Sequence, residues 1–211
     1  MSTDHYTLAF LVPKGTQLPD AGNLSEIDVF RGRFFRNTPE LTATTHSRNN
    51  VLAYNVKRVL ELSISTKLDY FFQDFVAFQD DDLPKLINQI SGLLELITSK
   101  PELVVEATKS TRQHQELAVD KNGHMWCSNC GLTYTGDCYQ IDGWVYTYRP
   151  EDILSMLENA RVSTPSVKDG NDVDGEGYGY LFSMLKTHLF LAEKALQLDM
   201  CFVFENIGGF N

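Results

Sequence analysis

The sequence predicts an α+β fold: a mainly antiparallel sheet, with a β meander in the second half, packed by about four helices. Three observations carry this expectation. Apolar residues recur at three- and four-residue spacing in several long segments, the mark of helices with one buried face. Short runs rich in β-branched and aromatic residues are punctuated by Gly and Asp, the mark of strands and tight turns. Strands and helices come in blocks, whereas a doubly wound parallel sheet would alternate them.

Taken in order, Thr7–Val12 reads as a buried strand ended by Pro13-Lys-Gly15, and Ile27–Phe35 reads as a second strand. The polar stretch Asn37–Asn50 reads as a long loop, and it contains His46, a candidate exposed functional histidine. Val51–Leu62 has helical spacing, and the aromatics of Tyr70–Phe72 and Phe75–Phe78 read as core. Asp80, Asp81 and Asp82 precede a periodic run from Leu83 to Ile97, where carboxylates and a first-turn proline suit a helix start. Gln115–Tyr148 reads as the β meander, Pro150–Ala160 as a short helix, and Arg161–Gly177 as a mobile loop. Within that loop Asp172-Val-Asp174-Gly-Glu176-Gly177 begins like a calcium loop. Ser183 stands where such a loop needs a bidentate Glu, so a plain acidic loop is expected. A helix over Tyr180–Leu198, with His188 on its apolar stripe, and a continuously apolar strand over Cys201–Phe204 close the chain. A single domain over 1–211 is expected, with 115–148 as a possible small cysteine-bearing unit.

Composition bounds the function. The chain carries 28 acidic and 18 basic side chains, a net charge of −10, which disfavours nucleic-acid phosphates and favours a basic protein partner. Arg31, Arg33 and Arg36, next to Phe34 and Phe35, are either an anion pocket or the charged face of an exposed strand. No run of 18 apolar residues is present and the start lacks a basic secretory region, so no membrane contact and a cytoplasmic location are expected. Thiols in that compartment stay reduced, which leaves the four cysteines free or metal-bound.

Three of those cysteines crowd with a histidine into His124-Met-Trp-Cys127-Ser-Asn-Cys130-Gly131 and Cys138. Two thiolates spaced Cys-x-x-Cys-Gly can reach one ion, as in a zinc knuckle, and His124, Cys127, Cys130 and Cys138 form the candidate set for zinc. One geometric objection stands against Cys138: an extended strand over 132–135 and a tight turn would carry it on the order of 10 Å from the pair. Trp126–Cys130 also resembles the Trp-Cys-x-x-Cys of thioredoxins over five residues, but strand and turn residues follow where that motif opens a helix. The third reading is structural, with the cysteines as small buried hydrophobes.

No nucleophile elbow, phosphate loop, zinc-protease motif or dinucleotide fingerprint occurs in the chain. The expectation is therefore a non-enzymatic intracellular binding or regulatory protein that neutralises a basic partner, such as a toxin or nuclease. The alternative is an enzyme, metal-dependent or acting on a small molecule, with its site near the cysteine-bearing meander.

Overall fold

A computed structural model describes residues 5–34, 42–47, 68, 70, 73–109, 113–114, 117–131, 133–134, 139–146, 151–155, 158, 173–174 and 177–206. Its centre is a five-stranded sheet in the order β3-β10-β1-β2-β9. These strands are β1 (His5–Pro13), β2 (Thr42–Ser47), β3 (Phe75–Phe78), β9 (Val173–Asp174) and β10 (Met200–Asn206). All neighbours run antiparallel except β2 and β9, which are parallel. The fold class is the α+β class that the sequence predicts.

β10 lies between β1 and β3, so the last described strand is an interior strand. Its apolar run has a cause on each face. Phe202 and Phe204 join a cluster with α2 (Asp82–Ser99) and α4 (Gly177–Gln197), while Cys201 and Val203 join another with α1 (Leu24–Phe34). A strand covered on both sides gains from apolar residues at every position. α2 buries Leu83, Leu86, Ile90, Leu93 and Ile97, the stripe that its spacing announces. From α4 come Phe182, Met184, Leu185, Leu191, Ala192 and Ala195, whereas Leu196 is exposed. α3 (Pro101–Thr108) starts at the proline that ends α2, because proline fits a first turn and not a helix interior.

Four sequence expectations meet differences. Residues expected as a strand over Ile27–Phe35 form α1. Ile27, Phe30 and Phe34 fall at helical spacing and turn toward the sheet, and Asn23 Oδ1 accepts the Glu26 amide at 3.2 Å, a helix cap. The polar stretch read as a loop contains β2, which pairs with β1 over six residues. Asp81 sits at the start of α2 without a side-chain cap bond; Asp82 pairs instead with Lys85, and Asp80 with Lys14. Residues 173–174, expected within a mobile loop, are β9; most of 161–177 and all of 51–62 lie outside the described residues. Of the short helix expected at 150–160, the described residues 151–155 and 158 are helical.

The meander is divided. β4 (Leu117–Val119), β5 (Met125–Cys127) and β6 (Thr133–Tyr134) form one small sheet; β7 (Tyr139–Ile141) and β8 (Trp144–Tyr146) form another. Among the described residues, β6 and β7 do not pair with each other; Cys138 and residues 135–137 lie outside them.

Candidate metal centre

The first hairpin is built around Asp120. Its Oδ1 accepts the amides of Asn122 at 2.7 Å and His124 at 2.9 Å, an Asx turn closed by Gly123 at φ +82°. The His124 amide, then that of Asn122 and the His124 ring, hold the Asp120 carboxyl below its ordinary range. His124 Nδ1 lies 3.4 Å from Asp120 Oδ2.

β5 ends at Cys127, which is buried, and the chain then turns back on itself. The Gly131 amide donates to the Cys127 carbonyl at 2.8 Å, and Gly131 adopts φ +69°. This turn places half-buried Cys130 on the same side as Cys127. The third member arrives from before β4: His114 is 2% exposed, and its Nδ1 lies 3.5 Å from Cys130 Sγ. Donor atoms of His114, Cys127 and Cys130 all lie within 4.8 Å of one another. A tetrahedral ion with Zn–S bonds of about 2.3 Å keeps its donors roughly 3.8 Å apart, so a contraction of about 1 Å would close the group on a metal.

The second hairpin fixes His114. Asp142 and Gly143 have φ of +49° and +80°, the paired left-handed residues of a two-residue hairpin turn. The Gly143 carbonyl accepts the His114 amide at 2.7 Å, and the Asp142 carbonyl accepts Gln113 Nε2 at 3.1 Å. A Cβ on Gly143 would stand 3.3 Å from the His114 carbonyl, so glycine serves both the turn and the close approach.

Cys127 and Cys130 thus come together as their spacing predicts. His124, expected as a ligand, faces Asp120, and Cys138 lies outside the described residues. Sequence reasoning missed His114. Its one signal is a histidine 13 positions before Cys127, which no local pattern ties to the cysteines.

The structure places the other sequence candidates as follows. His188 is fully buried on α4, with Nδ1 3.0 Å from Tyr70 Oη; burial pushes its pKa down to about 3 and keeps it neutral. Arg31 bonds Glu205 on β10 and Asp28 on its own helix, and Arg33 lies over Phe34; Arg36 is outside the described residues. His46 sits on β2 opposite Tyr6 and Asp174. Among the described residues, no helix is long and apolar enough to cross a membrane. Comparison with protein-family models, with curated proteins and with solved structures finds no match to this chain.

Proposed function

We propose that this chain is a non-enzymatic binding protein in which Zn²⁺ on His114, Cys127 and Cys130 staples the 113–146 segment into a recognition module for a basic protein partner. The observation that carries it is the convergence of a buried imidazole and two thiols from separate segments. Zinc is favoured because thiolate and imidazole donors suit a borderline-soft ion without geometric preference. A structural role is favoured because two of the donors are buried and the two small sheets bring little core of their own. The basic partner follows from the net charge of −10, which steers cationic surfaces toward the molecule. A reducing, cytoplasmic compartment suits the reading, because it keeps thiols available to the metal.

A second reading, a metal-dependent hydrolase, is favoured by one observation. Three protein donors among the described residues, with Cys130 only half-buried, match a catalytic zinc that leaves its fourth position to water. The Cys138→Ser variant separates the two. If that thiol completes a closed site, the variant binds zinc more weakly; if water completes it, affinity is unchanged.

Metal analysis of the purified chain is expected to give one zinc, with Co²⁺ producing a thiolate charge-transfer band. His114→Ala, Cys127→Ser and Cys130→Ser should each weaken binding by at least about 100-fold. Zinc kept by His114→Ala but lost by His124→Ala would restore the set inferred from spacing and overturn this one. A polylysine probe should bind at low salt and dissociate at high salt; no binding at low salt would end the basic-partner reading.

A further inference from the structure

The hairpin that anchors His114 carries a second assembly on β8, the strand that follows its turn. Trp144 and Tyr146 are two apart on β8 and share one face. Lys109 Nζ lies 4.6 Å from the centre of the Trp144 ring and 5.7 Å from that of Tyr146. Glu106 Oε2 is 3.3 Å from the same ammonium, and Glu106 Oε1 accepts the Tyr146 hydroxyl at 3.4 Å. Two π faces and a carboxylate therefore surround one ammonium, with the carboxylate oriented by one of the rings.

We propose that Glu106, Trp144 and Tyr146 form a cage for an alkylammonium group, that Lys109 is its built-in occupant, and that a lysine of a basic protein partner takes its place. Ring quadrupoles attract a cation that has shed part of its water, and the carboxylate sets its charge preference. Tyr146 is buried and Trp144 half-buried, so one wall is fixed and the other is reachable. Lys109 is the C-cap of α3, with φ −59° and ψ 139°, so its backbone already lies outside the helical conformation. Glu106 stays oriented toward the cage through the Tyr146 hydroxyl. Ile141, exposed at the neighbouring strand, offers a partner an apolar contact beside the cage. This inference rests on the reading of the partner as basic and not on the metal.

A tethered lysine competes at an effective concentration in the millimolar range, so removing it should reveal the cage. The test uses the full chain with Trp126→Phe, which leaves Trp144 as the one remaining tryptophan. Tetramethylammonium and Nα-acetyl-lysine methylamide are titrated against its fluorescence, with and without Lys109→Ala. Lysine amide should bind the Lys109→Ala chain at least about tenfold more tightly than the parent. Adding Glu106→Gln should reverse most of that gain, and an uncharged tert-butyl analogue should not bind. Equal affinity with and without Lys109 would overturn the proposal, as would equal binding of the uncharged analogue, which would mean only a greasy slot. Tetramethylammonium bound without lysine amide would overturn the choice of a protein lysine in favour of a free quaternary amine. A chain that binds lysine amide but no polylysine keeps the cage and loses the partner reading; loss of zinc with the cage intact fails the metal reading alone.

Discussion

The five-stranded sheet and the 113–146 segment are held together by different physics. In the sheet and the helices packed on it, Phe10, Val12, Ile90, Leu93, Phe182, Leu185, Phe202 and Phe204 are wholly out of solvent, and apolar burial on two faces carries the fold. In the segment, buried positions among the described residues are His114, Cys127, Val145 and Tyr146, while Val119, Trp126 and Ile141 are exposed. Sheets of three and two short strands bury too little to stand alone. The described contacts are directional: an Asx turn and two hydrogen bonds from the 113–114 stretch to the Asp142-Gly143 turn, beside a His114, Cys127 and Cys130 group that could hold a metal ion. The difference teaches where a staple is needed. A region with a two-sided core has no use for one, and a region with polar turns and few buried side chains does.

The largest effect should come from the sheet. Deleting Cys201–Asn211 removes an interior strand, exposing the backbone edges of β1 and β3, and should abolish soluble folding. A truncated chain that stays soluble and melts like the full one would dissolve the contrast. Leu185→Ala, at a position with no exposure, should lower stability by about 2–5 kcal/mol in urea titrations.

Removing the metal should act on the other region alone. Stripping zinc with a chelator should speed amide exchange over 117–146 by about 100-fold while leaving 83–97 and 200–206 as they were. Exchange that accelerates equally in the sheet would show the two regions to be one cooperative unit.

Glu205 sharpens the comparison from within the sheet. It is 5% exposed on β10, one of its oxygens has no hydrogen-bond partner among the described residues, and burial outweighs the Arg31 guanidinium to push its pKa up to about 6. An acid with a raised folded pKa stabilises the fold most when protonated. Its contribution is full below the ordinary value of 4.5 and is lost as pH rises through about 6. Glu205→Gln should therefore gain on the parent by up to about 2 kcal/mol between pH 4.5 and pH 7.5. A difference that does not change with pH would show that burial does not govern this carboxylate.

The smallest effect is expected at Gly143. Alanine there must hold φ +80° and press on the His114 carbonyl, at a cost of about 1–2 kcal/mol. Because His114 moves with the turn, zinc affinity should fall with stability in calorimetric titrations. Unchanged affinity would separate the hairpin from the metal group.

Along the chain, the sequence by itself determined β1, β10, α2 and α4, because burial on one stripe or on both faces writes a period into consecutive residues. It determined the Cys127–Cys130 turn as well, since donors separated by two intervening residues and a following glycine are a local geometry. Composition misled it at α1, where β-branched and aromatic residues hid the three- and four-residue spacing of Ile27, Phe30 and Phe34. The strand identity of Thr42–Ser47 was not legible either: a segment of polar residues and one alanine becomes a strand only because β1 offers it an edge. Only the tertiary structure decided that His114, and not His124, meets the two thiols, and that Lys109 lies over Trp144 and Tyr146. Those choices depend on two hairpins closing on residues before β4. Such closure is set by packing and hydrogen bonds between distant segments, which leave no period and no spacing in the chain.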